Sequence, residues 1–228
     1  MALELLMLER TEPALFSPPS VMVDREEVAF YLGYKRGLGY LADFERLFDE
    51  FLPRVLSLCE PKASFAFARL SIDGDRLVFE GHHSFSVSSA SLSRHMRGSC
   101  RALFMTSTAG PAPEERSALL QSRGQVLEAS FFEAIASAVA DRVLDGLQSY
   151  VSSRIRGMGF ELGKRFSPGY GDLSLSHQVD FLAMTEAPSL IGVSCNEAFV
   201  LLPRKSVTAV APIFARAGHF VSRRCALC

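Results

Sequence analysis

The chain contains no tryptophan and only five cysteines, and no apolar run approaches the ~20 residues that a membrane-spanning helix needs. The cysteines are Cys59, Cys100, Cys195, Cys225 and Cys228, an odd and scattered set that does not form a disulfide framework. The first three lie in apolar surroundings and read as small buried hydrophobes. Cys225 and Cys228 differ, because they end the chain beside Arg223 and Arg224. Two thiols at that spacing are half of a zinc or iron–sulfur site, a redox pair, or a frayed tail. A four-coordinate metal would need ligands from elsewhere.

Charge of one sign is also missing. The 24 basic and 25 acidic residues are interspersed and leave a net charge of −1, with no Lys/Arg stripe for a nucleic-acid surface. Arg216 with Arg223 and Arg224 is too short a cluster to make one. The glycines from Gly33 to Gly39 match neither the Walker pattern nor the dinucleotide fingerprint, and no strand leads into them. They read as a connection between helices. The segment Met1 to Arg10 is apolar but is interrupted by Glu4 and lacks a basic start, so it does not read as a signal peptide. The expectation is a soluble cytoplasmic protein with no nucleic-acid or membrane partner.

Hydrophobic residues make up 48% of the 228, and phenylalanine alone accounts for 18, enough for one large core or two small ones. Residues 12–20 read as an extended lead-in. Asp24 with Glu27 forms a capping box for a short helix ending at Gly33. Residues 42–58 read as a helix with Pro53 as a kink. Residues 64–72 and 76–80 read as a hairpin with a tight Asp-Gly turn. His82, His83 and His95 follow without a third ligand or a carboxylate at metal-site spacing, and residues 84–93 are Ser-rich and loop-like. Residues 100–108 read as a strand, and Pro111 to Pro113 opens a helix. The longest periodic stretch, 128–156, is a helix with Phe132, Ile135, Val139, Val143, Leu147, Tyr150 and Val151 on one face. Gly146 within it should cost ~1 kcal/mol relative to alanine, which points to a packing or ligand reason. Ser174 or Ser176 caps a helix to Thr185, and residues 191–194, 198–202 and 206–214 read as strands. The order predicts an α+β fold, a twisted and mainly antiparallel sheet with packed helices.

The stretch Arg165-Phe166-Ser167-Pro168-Gly169-Tyr170-Gly171-Asp172 has the composition of a loop of fixed shape. Pro168 sets its own φ and restrains Ser167, while the glycines admit angles or close approaches that a Cβ blocks. A guanidinium at its head suits a carboxylate, and the Tyr170 ring suits a flat ligand. The competing reading is a turn whose arginine pairs with a surface acid.

The Arg-x-x-Pro-Gly-Tyr run follows a long Ala-rich helix and precedes a helix and a hydrophobic hairpin. In that order it resembles the activation domain of cobalamin-dependent methionine synthase, from about Ala129 to Phe220. The preceding segment, including Thr108-Ala109-Gly110, resembles the N-terminal part of stand-alone forms of that domain. The resemblance implies a C-shaped domain made of an N-terminal part (1–125), an S-adenosylmethionine-binding region (126–222) and a Cys-containing tail (223–228). It implies that Arg165 pairs with the ligand carboxylate and that Asp145 stands where the family has a ligand-binding glutamate, one methylene shorter here. It also implies that Ser167, Gly169 and Tyr170 hold the adenosine side. Glu197 is a further, weaker candidate. Gly171-Asp172-Leu173-Ser174 departs from the fused form and is closer to stand-alone relatives.

No general base or nucleophile is needed, because a sulfonium is its own leaving group. No Asp-x-His-x-x-Gly run is present to ligate cobalt. The implied function is therefore reactivation of methionine synthase, with cobalamin on a partner subunit and an electron donor such as flavodoxin. The alternative is a non-catalytic module serving another corrinoid protein, with the terminal cysteines for metal or redox use. A third reading is a structural subunit without ligand binding.

Overall fold

The strand Arg101–Thr108 is buried at every position, so both of its faces must be covered. In the computed structural model, which describes residues 12–34, 43–99 and 101–216, it lies in the middle of a seven-stranded sheet. The strands are β1 (Ala14–Phe16), β2 (Lys62–Asp73), β3 (Arg76–Glu80), β4 (Phe85–Ser88), β5 (Arg101–Thr108), β6 (Phe160–Leu162) and, after two short strands described below, β9 (Ser206–Ala215). Their order is β4-β3-β2-β5-β9-β6, with β1 pairing with the part of β2 that β3 leaves free. Every pairing is antiparallel. The β2–β3 hairpin turns through Gly74 and Asp75, with Asp73 opposite Arg76 and Gly74 at φ +58°.

The period of two decides which residues face which layer. On one face Ala63, Phe65, Phe67, Leu103, Met105, Ala209 and Ala211 meet four helices. These are α1 (Arg25–Tyr31), α2 (Phe44–Leu56), α4 (Ala112–Ser122) and α5 (Val126–Arg156). On the other face Ala66, Ala68, Ala102, Phe104 and Val210 meet α3 (Ala90–Met96) and α6 (Gln178–Thr185). Phe104 packs edge-on against Phe79 and Phe181, with ring centroids 5.0 and 4.9 Å away. The result is the expected α+β class, a mainly antiparallel sheet with helices packed on it.

Helix α5 crosses the sheet, and its alanines Ala134, Ala136, Ala138 and Ala140 are all buried. Their small side chains let the backbone come close enough for Ser107 Oγ to donate to the Ala140 carbonyl at 2.8 Å. Gly146 is not required by crowding: an added Cβ would rest 3.7 Å from the Phe16 ring, an ordinary contact. Gly146→Ala should therefore raise stability by about 0.5–1 kcal/mol, read from urea unfolding. A destabilised variant would mean that the glycine has a role the packing does not show.

Three expectations need correcting. The Ser-rich segment 84–93 is not a loop but β4 followed by the start of α3, with Ser89 as N-cap. Its serines occupy exposed edge positions and the cap, which hid the period. Residues 187–191 are a short helix, α7 (Ala187–Ile191), rather than the start of a strand. The following hairpin has only two residues per strand, β7 (Ser194–Cys195) and β8 (Leu201–Leu202). The glycine-rich residues 35–39 and the cysteines at 100, 225 and 228 lie outside the described residues. Among the described residues no helix is long and apolar enough to cross a membrane.

Candidate functional site

The loop after β6 is tied to the sheet before it turns. Phe166 exchanges both backbone hydrogen bonds with Val210 of β9, each 2.8 Å. Ser167 to Tyr170 then form a β-turn in which Tyr170 N–H donates to the Ser167 carbonyl at 3.2 Å. Pro168 and Gly169 occupy its central positions, with Gly169 at φ +91°, as a type II turn requires. The turn is closed by Gly169 N–H to Leu173 O (2.9 Å) and Leu173 N–H to Tyr170 O (3.0 Å). Tyr170 is left 66% exposed, with its ring presented outward.

This loop carries Arg165 to the face of α5. Arg165 Nη2 lies 3.0 Å from Asp145 Oδ1, so the two charged residues singled out in the sequence meet each other. The other guanidinium nitrogen, Nη1, is buried and has no hydrogen-bond partner among the described residues. Asp145 is also 3.7 Å from Arg142, one turn earlier on α5. Arg142 in turn reaches α1, with Glu27 at 2.8 Å and Asp24 at 3.5 Å. Beside this chain of charges the Tyr31 hydroxyl donates to Asp141. Glu27 is pushed above the usual carboxylate range, because burial outweighs the pull of the Arg142 guanidinium. Tyr31 is pushed up by burial and by its bond to Asp141, and Tyr170 is near enough to add to that shift.

The far end of the loop is fixed as firmly. Asp172 accepts from Ser89 Oγ (2.5 Å), Ala90 N (2.8 Å) and Ser91 N (3.0 Å) at the start of α3. The Ser89 hydroxyl and these backbone N–H groups hold its carboxyl far below the usual range. A carboxylate with a depressed folded pKa contributes stability above its unfolded pKa, ~3.9, and loses it only as pH falls through the folded value. These contacts therefore persist through mildly acidic solution.

A groove of about 540 Å³ leads from Asp145 along α5 past Gln148, Ser152 and Arg156. Another cavity, about 650 Å³, lies between Gly110, Pro111, Ile191 and Leu202 and includes neither Arg165 nor Asp145. Two of its carboxylates, Glu60 and Glu114, already have cationic partners in Lys62 and Arg204. We therefore place the candidate site at Arg165, where an unsatisfied donor is present.

The chain shares its fold with the MetH reactivation domain. The solved structure of that domain bound to AdoHcy superposes with a TM-score of 0.63 at 13% sequence identity. The match covers 90% of this chain and 79% of that one. No family model matches the sequence, and no match was found among curated proteins.

Of the site residues read from the sequence, Asp145, Arg165, Ser167, Gly169 and Tyr170 fall on one helix face and one adjoining loop. Glu197 does not join them and is exposed in the β7–β8 turn. Sequence reasoning missed Asp24, Glu27, Tyr31, Asp141 and Arg142. A polar run inside an otherwise buried helix, Asp141-Arg142 with Asp145, was the available signal on α5. The histidines are not free surface groups: His83 and His177 both lie on Asp180, at 3.3 and 2.8 Å, and His95 meets the Lys164 carbonyl. No cluster among the described residues could hold a metal ion. Cys59 is a poor nucleophile, its thiol pushed up to about 12 by burial.

Proposed function

We propose that this chain binds S-adenosylmethionine at the Arg165 loop and presents its methyl group to cobalamin carried by a separate corrinoid protein, as a reactivation component for cobalamin-dependent methionine synthase. The observation that carries the reading is Arg165: one guanidinium nitrogen is committed to Asp145 and another is buried without a partner. An unpaired buried donor is costly, and a carboxylate seated at the fork would satisfy it bidentately. The shared fold with a domain bound to AdoHcy supports the choice of ligand class, AdoHcy being S-adenosylmethionine without its methyl group.

The charges around the site fit that ligand. Asp24, Glu27, Asp141 and Asp145 face only Arg142 and Arg165, so the surface is net acidic. S-adenosylmethionine carries a sulfonium and an ammonium against one carboxylate, leaving it net positive. Asp145 is placed to accept from the ammonium once Arg165 turns to the carboxylate. Arg142, held by Glu27, keeps Asp145 on the loop side of α5. Tyr170 offers an exposed ring to the adenosine, and the main chain of Ser167 and Gly169 frames it. When bound, S-adenosylmethionine supplies the methyl group: one-electron reduction of cob(II)alamin together with CH₃ transfer gives methylcobalamin and S-adenosylhomocysteine. The protein's own work is positioning, which can account for much of a barrier when two large molecules must meet.

Asp145→Glu restores the missing methylene and should keep or improve affinity. Asp145→Asn should weaken it, but less than loss of Arg165. If Asp145→Glu abolished binding in a folded protein, this use of Asp145 would be wrong. The whole reading is tested by calorimetric titration with S-adenosylmethionine, then by methylcobalamin formation. The protein, S-adenosylmethionine and a reductant are mixed with cob(II)alamin either free or on a corrinoid protein. Absence of binding heat would overturn the ligand, and equal rates in the two mixtures would overturn the partner.

A further inference from the structure

The segment from Lys164 to Asp172 has a fully extended reach of about 27 Å, yet its two ends are held by one short helix whose contacting residues, Ala90 and His95, are about 8 Å apart along the axis. At the tail, Asp172 takes the Ser89 hydroxyl and the N–H groups of Ala90 and Ser91. Ser89 already caps α3 through Leu92 N (3.1 Å), so Asp172 supplies the acceptors that this cap leaves over. At the head, His95 Nε2 lies 2.7 Å from the Lys164 carbonyl, and its ring packs 5.2 Å from that of Phe166. Between these points Gly171 lies against Ser91 so closely that no side chain fits.

We propose that α3 is a splint for the ligand loop, and that His95 and Asp172 are positioning residues for the Arg165 site. Neither residue touches the ligand. His95 fixes the peptide that precedes Arg165, and Asp172 fixes the end of the segment that carries Gly169 and Tyr170. The guanidinium is thus delivered to Asp145 by a backbone clamped on both sides, rather than by a loop free to sample other curvatures. Binding groups held this way lose less freedom when a ligand arrives.

The inference rests on the reading that this loop binds S-adenosylmethionine, so its test has an arm that needs no ligand. Amide hydrogen exchange at Gly169 and Leu173, whose N–H groups close the loop, is measured in the wild type, His95→Ala, Asp172→Ala and His95→Gln. Both alanine variants should exchange there about tenfold faster or more, with sheet amides unchanged, and His95→Gln should restore protection because its amide can donate to the Lys164 carbonyl. In the ligand arm, S-adenosylmethionine affinity should fall about tenfold in the alanine variants and recover in His95→Gln. His95→Ala leaves the α3 cap untouched, so it remains informative if Asp172→Ala unravels the helix. Wild-type exchange at Gly169 and Leu173 in His95→Ala would overturn the splint. A wild-type protein that fails to bind S-adenosylmethionine would overturn the ligand assignment instead, with the exchange data still deciding the splint.

Discussion

Arg165→Ala is expected to weaken S-adenosylmethionine binding by more than about tenfold while leaving the thermal stability of the protein nearly unchanged. The two halves of this expectation come from different interactions. A charge-assisted, bidentate contact to a carboxylate is worth on the order of 1.5–3 kcal/mol, all of which is lost with the guanidinium. The fold loses only the pair with Asp145, whose side chain is 44% exposed, and such pairs contribute about 0–1 kcal/mol. Removing Arg165 also removes a buried nitrogen that has no partner, which offsets part of that small loss. Arg165→Lys should recover only part of the affinity, because an ammonium keeps the charge but not the planar fork. Calorimetry beside a melting curve separates the cases. Unchanged affinity would remove Arg165 from the site, and a collapse in stability would make it a structural residue.

The competing sequence reading, an arginine paired with a surface acid, describes the ligand-free contact correctly, yet the acid is the other candidate site residue. The elements that periodicity could reveal were legible: β5 from its continuous apolar run, α5 from its three- and four-residue steps, and β2–β3 from the Asp-Gly signal. The turn shape was legible too, because Pro168 and Gly169 dictate a type II geometry almost on their own. What could not be read was anything decided by distant partners. Glu27 lies 115 residues from Arg142 in the chain, and nothing local says that α1 will lie beside α5. The same holds for His95, which looked like a surface histidine until the fold brought Lys164 to it. In residues 84–93 the serines were misleading because they do structural work: Ser89 caps α3, and Ser93 donates to the Gly74 carbonyl at 2.6 Å. Short β7 and β8 fall below the length at which a period of two can be recognised.

Gly171→Val should be the most disruptive single change in the loop, more so than Gly169→Ala, although both positions have positive φ. At Gly171 φ is +56°, and an added Cβ would lie 2.6 Å from Ser91 Oγ and 2.8 Å from Ser91 Cβ. The hydroxyl could rotate away, but the Ser91 Cβ is fixed to the first turn of α3 and cannot. A left-handed conformation costs an ordinary residue about 1–2 kcal/mol, and forcing side chains into occupied space costs about 1–3 kcal/mol more. The sum, about 2–5 kcal/mol, rivals the contacts of Asp172 that hold this end of the loop. At Gly169 φ is +91°, but the nearest atom to an added Cβ is Leu175 Cδ1 at 3.4 Å, on an exposed side chain that can move. Gly169→Ala therefore carries the backbone penalty alone. In urea unfolding Gly171→Val should lose the larger stability. It should also bind S-adenosylmethionine more weakly than Gly169→Ala, because displacing α3 from the loop shifts Arg165 at its head. A Gly171→Val protein with wild-type stability and affinity would show that the loop tolerates separation from α3, and that its shape is set by Pro168 and Gly169 alone.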